Sequence, residues 1–162
     1  MAPVTVERMR AGLRPRDAVL VSVLAYAGLR PGEALGMRWG DVRERTILVE
    51  RAVSLGEFRT TKTGQTRAVR MLSPVAQDLA EWRLRCGRPG DKVLLFPRDD
   101  GAPWTTHDWA NWRRRTFGTA LAGAGVEHAR PYDLRHSFAS LLLAEGRTIH
   151  YVAKQLDTNN DR

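Results

Sequence analysis

Arg135 sits in the segment Tyr132-Asp133-Leu134-Arg135-His136-Ser137-Phe138-Ala139-Ser140, at the start of an apolar run made of Phe138, Leu141, Leu142 and Leu143. Pinning a guanidinium against a core is costly unless it meets an anion. Arg135 therefore points to a buried or half-buried anion site mounted on a rigid helix. Far upstream, Arg30 lies immediately before Pro31 in Ala27-Gly28-Leu29-Arg30-Pro31-Gly32-Glu33-Ala34-Leu35. Proline is favoured at the first helical position, so Arg30 stands at a helix N-terminus, where unpaired N–H groups and the dipole already attract negative charge. Two arginines on two helix starts suit one phosphate, because each guanidinium offers a bidentate fork. Lys62, flanked by Thr60, Thr61 and Thr63, stands at the approach to a hairpin turn. A flexible ammonium there can reach into a groove as a phosphate contact or a proton donor.

These side chains need elements to hold them. Val19, Leu20, Val23, Leu24 and Ala27 make a helical stripe from Pro15 onward, and Gly28 ends it as a C-terminal glycine does. Pro31 opens a short helix with Leu35 and Met37 facing inward, closed by Trp39-Gly40-Asp41. The middle of the chain changes character. Thr46 to Val49, Glu57 to Thr61 and Thr66 to Met71 read as strands, the last two joined around Gly64-Gln65 in a tight hairpin. Ser73-Pro74 starts a helix running to about Arg85, with Val75, Leu79 and Trp82 on one face. Val93 to Phe96 is a short buried run. Thr105 or Thr106 caps a helix carrying Trp109, Trp112, Phe117 and Leu121. Pro131 opens the helix of Arg135, Gly146 ends it, and Thr148 caps a last helix with Ile149, Val152, Ala153 and Leu156 in phase. The expected fold class is α+β, mainly α-helical, with a small inserted antiparallel sheet; no alternation of strand and helix points to a parallel one.

Composition narrows the chemistry. The chain has 162 residues and a formal net charge of +8, a balance that favours a polyanionic partner, most often nucleic acid. Lysine occurs only at Lys62, Lys92 and Lys154 among 26 basic residues. Arginine dominates, and its planar fork fits phosphate. The single Cys86 excludes an internal disulfide and a cysteine metal cluster, and His107, His128, His136 and His150 lack ligand-like spacing. No metal and no cofactor are expected. No apolar run approaches a membrane span, and no signal peptide is visible, so a cytoplasmic protein with no membrane partner is expected.

Three segments together carry a family resemblance. Gly28 to Leu35 with Arg38-Trp39-Gly40-Asp41-Val42 resembles the first arginine box of the tyrosine recombinases, the phage integrase family. Thr61-Lys62-Thr63 followed by Arg67-Ala68-Val69 resembles that family's lysine hairpin. Tyr132 to Ser140 resembles its second arginine box. Order and spacing agree over about residues 13 to 156. The resemblance implies an integrase-type catalytic domain across residues 1–162. It is expected to be partial, without the N-terminal DNA-clamping domain and the C-terminal tyrosine segment. It also implies double-stranded DNA as partner, with other recombinase subunits, and no ATP or metal. In such a mechanism a tyrosine attacks a phosphodiester and forms a 3′-phosphotyrosine. Arg30 and Arg135 would grip the non-bridging oxygens, Lys62 would protonate the departing 5′ oxygen, and Glu33 would orient its neighbours.

The sequence also departs from that pattern. Tyr132 stands where the family usually has a catalytic histidine. A phenol with an ordinary pKa near 10 hydrogen-bonds a phosphate but is a poor base near neutrality. After Gln155-Leu156 the family continues with Gly-His; here Asp157 and Thr158 follow, and no tyrosine comes after Tyr151. Tyr151 itself precedes the Leu156 landmark and reads as a packing residue. The nucleophile is therefore expected to be missing, and the chain to be inactive alone. The alternative is a non-catalytic DNA-binding or regulatory fragment that competes with an intact recombinase. Simpler roles stand beside the catalytic ones: Arg30 paired with Glu33 or Asp41, Arg135 paired with Asp133 or Glu145, and Lys62 as a solvated hairpin lysine. His136 reads as structural, Trp104, Trp109 and Trp112 as core, and Arg113-Arg114-Arg115 as a solvated face.

Overall fold

A computed structural model describes residues 1–54, 56–60 and 66–156. Eight α-helices and four short strands follow one another among these residues: α1 (Pro3–Ala11), α2 (Pro15–Tyr26), α3 (Pro31–Leu35), β1 (Thr46–Val49), β2 (Arg51–Ser54), β3 (Glu57–Thr60), β4 (Arg67–Arg70), α4 (Ser73–Arg85), α5 (Thr106–Asn111), α6 (Gly118–Gly123), α7 (Leu134–Ala144) and α8 (Ile149–Leu156). Short 3-10 turns at Trp39–Asp41 and Pro131–Asp133 precede β1 and α7, and a π-helical stretch, Trp112–Phe117, joins α5 to α6. The mainly helical α+β fold expected from the sequence is what forms.

α2 is the centre. Every residue from Val19 to Tyr26 is buried, and the helix packs against α1, α4 and α7. Its apolar surface goes all the way round, as a core helix requires. Val75 and Leu79 of α4 and Leu134, Phe138 and Leu142 of α7 close over it. The indole of Trp82 donates to the Leu95 carbonyl at 3.2 Å, which fastens the buried run Leu94 to Phe96 beneath α4. α1 has no counterpart in the helices read from the sequence. It buries Val6 and Met9 only, too sparse a stripe to announce a helix by period.

The strands differ from expectation in their pairing. β1 pairs antiparallel with β4, Thr46 opposite Arg70 and Val49 opposite Arg67. β3 pairs antiparallel with β2, Arg51 opposite Thr60 and Ser54 opposite Glu57. The strand Arg51–Ser54 is therefore an additional partner for Glu57–Thr60, the two joined through Gly56. A tight turn with a glycine at φ +78 brings neighbouring strands together before any longer loop closes. The expected turn around Gly64-Gln65 lies outside the described residues.

Helix boundaries agree closely with the local signals. Thr105 accepts from the Asp108 amide at 3.2 Å and returns its own amide to the Asp108 carboxylate at 2.8 Å, a capping box. Thr148 Oγ1 accepts from the Tyr151 amide at 3.1 Å. α4 begins one residue earlier than a serine N-cap would place it, with Leu72 in the cap position and no side-chain cap bond. No described helix is long and apolar enough to cross a membrane.

Candidate phosphate-binding site

The site is assembled where the end of α2 meets α7 and α8. Gly28 follows α2 with φ +67, a conformation that glycine adopts without steric cost. A Cβ here would stand 2.9 Å from Phe138 Cγ and 3.1 Å from Leu156 Cδ2. Only the missing side chain lets the Gly28 turn lie against α7 and α8. That contact carries Arg30, two residues on, toward Arg135, the second residue of α7.

Arg30 occupies the N-cap of α3 with extended backbone. Its amide donates to Glu33 Oε1 at 2.9 Å, and its Nη1 lies 3.9 Å from the same oxygen. Of the two simpler partners weighed for it, Glu33 is therefore the neighbour; Asp41 is held by the Arg38 amide at 2.9 Å and by Arg51 at 2.6 Å. The start of α3 is pressed onto β2 through Gly32, whose Cβ would meet the Val53 carbonyl oxygen at 2.8 Å.

Glu33 is buried, and its charge is met chiefly from β4. Arg67 of β4 donates Nη1 to Oε2 at 2.5 Å and Nη2 to Oε1 at 3.1 Å. Burial opposes the ionised carboxyl, but the Arg67 hydrogen bonds and charge, aided by the Arg30 amide, prevail and hold it below the usual carboxylate range. The fork of Arg67 is also engaged at Nε, which donates to the Gln155 carbonyl at 3.0 Å. Gln155 Oε1 accepts from the Arg70 amide at 2.8 Å, so the last turn of α8 is stitched to β4.

Arg135 is only 3% exposed. Its Nη2 donates to the Leu156 carbonyl, while Nη1 is buried with no hydrogen-bond partner among the described residues. Burial first, and next the positive charge of Arg30, push its pKa down to about 10. The ion pairs weighed for Arg135 do not form: Asp133 takes Arg130 and Glu145 takes Arg70. Tyr132 lies against Arg135, the guanidinium carbon 5.8 Å from the ring centroid. The phenol is 41% exposed, so it faces solvent at the mouth. His136 is exposed and sits edge-on to Tyr132 at 6.4 Å, outside the cation cluster.

Arg30, Arg67 and Arg135 thus surround one carboxylate, Glu33, and the charges of Arg30 and Arg67 both bear on Arg135. The excess of buried positive charge and the idle Nη1 together make a receptor for a small oxyanion with several acceptor oxygens. Lys62 lies outside the described residues. The sequence alone assigns Arg67 no role beyond its place in the Arg67-Ala68-Val69 segment. Its signal was available: in β4 it is in phase with the fully buried Val69, so the strand period points it inward. No group of three or more metal-ligating side chains occurs among the described residues.

The model of the phage integrase family matches residues 5–162. This chain belongs to the phage integrase family. It is 33% identical over 142 residues to tyrosine recombinase XerC of Mesorhizobium japonicum, covering 87% of this chain and 42% of that protein. Tyrosine recombinase XerD of Yersinia pestis is 30% identical over 148 residues, covering 86% of this chain and 45% of the relative. The integrase-family chain spans less than half the length of these relatives. Among solved structures, the XerA recombinase superposes with TM-score 0.73 at 26% identity, covering 97% of this chain and 55% of that one. The Tn1549 transposon integrase, solved with circular intermediate DNA, superposes with TM-score 0.78 at 19% identity over 98% of this chain and 58% of its own, a likeness of fold.

The remaining aromatic and basic residues of this integrase-family chain take the roles expected of them. Trp104 and Trp112 are buried, Trp109 stacks on Trp112 at 5.2 Å between centroids, and Trp112 Nε1 donates to the buried Asp17 at 3.0 Å. Arg113, Arg114 and Arg115 are exposed. Tyr151 packs on the core, with the Arg147 guanidinium 5.0 Å from its ring centroid.

Proposed function

We propose that this chain is the phosphate-gripping part of a site-specific tyrosine recombinase that acts on double-stranded DNA. The observation that carries the reading is the buried Arg135 Nη1, held without a partner among the described residues beside the charge of Arg30. A buried guanidinium nitrogen is stabilised by an oxyanion. The names of the relatives, XerC and XerD tyrosine recombinases, support a DNA phosphodiester as that anion.

In the proposed reaction Arg135 and Arg30 hold the non-bridging oxygens and stabilise the charge that grows on them as the phosphorus becomes five-coordinate. Tyr132 donates a hydrogen bond to a phosphate oxygen from the mouth of the site. The bond from phosphorus to the 5′ oxygen breaks as a tyrosine oxygen bonds to phosphorus and releases its proton to water, and Lys62 gives the departing 5′ oxygen a proton. The phosphotyrosine keeps the energy of the broken ester, so a second DNA end can reverse the step. Within these 162 residues no tyrosine follows Tyr151. The chain by itself holds the phosphodiester and does not cut it, and a tyrosine on another segment or subunit supplies the nucleophile.

A nicked suicide duplex tests both halves. The chain alone binds it in a salt-sensitive way and forms no covalent adduct; a peptide or partner subunit carrying the tyrosine restores the adduct. Salt-insensitive binding overturns the phosphate clamp, and an adduct from the chain alone overturns the assignment of the nucleophile to another segment.

A further inference from the structure

Arg67 touches both halves of the site. Its two terminal nitrogens bracket the Glu33 carboxylate, and its Nε holds the Gln155 carbonyl at the end of α8. The side chain is 10% exposed, so these are desolvated bonds. The neighbouring carbonyl, that of Leu156, is taken by Arg135. The last turn of α8 therefore hangs on two arginines, one bonded to Glu33 and the other presenting the idle Nη1.

We propose that Arg67 is a positioning residue of the phosphate site: it takes up the Glu33 carboxylate so that the guanidinium of Arg30 stays out of hydrogen-bond contact with it, and it ties the end of α8 to that carboxylate. The effect on DNA rests on the reading of the site as a phosphate clamp. Each of the three guanidinium nitrogens of Arg67 donates within the protein, to Glu33 or to Gln155, so the side chain is held in structure. With both carboxylate oxygens satisfied, Arg30 Nη1 remains 3.9 Å from Oε1, an ion-pair distance beyond a hydrogen bond. Without Arg67, Glu33 is a buried carboxylate short of a partner, and it draws on the cations that remain. Those are Arg30 at the N-cap of its own helix and Arg135 on α7, over which Tyr132 lies. From β2, Arg51 is already bonded to Asp41. Each cation that turns to Glu33 is withdrawn from the phosphate.

The test uses the whole chain and a short fluorescent duplex. Arg67→Met binds about tenfold more weakly than wild type near pH 8, and regains affinity as the pH falls toward about 5.5, because the stranded Glu33 carboxyl then takes up a proton. Adding Glu33→Gln removes that pH dependence and restores binding relative to Arg67→Met alone. Wild-type affinity in Arg67→Met, or a loss that Glu33→Gln does not relieve, overturns the proposal; the latter marks a direct phosphate contact. A merely structural role would not produce the pH-dependent recovery.

A second measurement needs no DNA. Amide hydrogen exchange over Val152 to Leu156 speeds about tenfold or more in Arg67→Met, while Leu20 to Leu24 of α2 stays slow and certifies the fold. Unchanged exchange in α8 overturns the proposal. If α2 also becomes fast, Arg67→Lys is measured instead. Its single ammonium reaches the carboxylate without the fork needed for Gln155, so α8 again loosens selectively. If the wild type fails to bind duplex while α8 loosens as expected, the clamp reading fails and the positioning by Arg67 stands.

Discussion

Arg135 donates one guanidinium nitrogen to the carbonyl of Leu156 and keeps the other buried without a partner among the described residues. The first bond satisfies a carbonyl at the C-terminal end of α8, where a cation is also favoured by the helix dipole. The second nitrogen is the cost of the arrangement, and it is the part an anion relieves. One side chain thus fixes the end of a helix and faces the ligand.

Arg135→Met should separate stability from binding. The folded pKa near 10 lies below the ordinary arginine value, so at every pH below about 10 the proton on Arg135 opposes folding. Replacing a buried, incompletely paired charge by an apolar chain of similar length is often neutral or stabilising. The variant is expected to melt at the wild-type temperature or above it, by thermal unfolding followed by circular dichroism. Its duplex affinity should fall at least about tenfold, since a charge-assisted phosphate contact is lost.

Gly28→Ala should act in the opposite sense. The φ of +67 is strained for alanine, and the new methyl is forced against Phe138 and Leu156. A loss of about 2–4 kcal/mol is expected from the two effects together. For a chain of this size that is a drop of roughly 5–15 °C in Tm, and Arg30 is displaced from Arg135 with it.

Glu33 should shape the acid limb of stability. Its carboxyl is held below the ordinary value of 4.5 in the fold, with Arg67 and Arg30 prevailing over burial. A group whose folded pKa is depressed contributes stability fully above its unfolded pKa and loses it as the pH falls through the folded one. Denaturant midpoints should therefore decline below pH 4.5 in wild type. In Glu33→Gln that decline should be shallower, with a lower plateau near neutrality because the Arg67 fork loses its anion.

Salt should report how many phosphates the chain neutralises. Log affinity for duplex DNA is expected to fall linearly with log salt, and each phosphate-contacting cation contributes about 0.9 to the slope. Arg30→Met and Arg135→Met should each reduce the slope by about that amount. Titrations by fluorescence anisotropy at several salt concentrations check this.

Much of the site was legible because its parts are local. Arg30 before Pro31, Gly28 after an apolar stripe, Thr148 ahead of Ile149 and Pro131 ahead of Leu134 each act through backbone sterics or a cap within a few residues. Such signals survive without the rest of the molecule, and each element they marked is present in the fold. The same local signals place Arg30 and Arg135 at helix starts, where each guanidinium can offer its fork to an anion.

What the sequence determined by itself was therefore which residues begin and end the helices, and which cations stand at those ends. The tertiary structure decided who meets whom. Arg67 reaches Glu33 and Gln155 across long stretches of chain, Arg135 chooses a carbonyl of α8 over Asp133 and Glu145, and β3 takes β2 as its partner. Those choices depend on loop closure and on burial of several elements at once. A charged side chain has many equivalent partners in sequence, and only the packed core removes water from one of them.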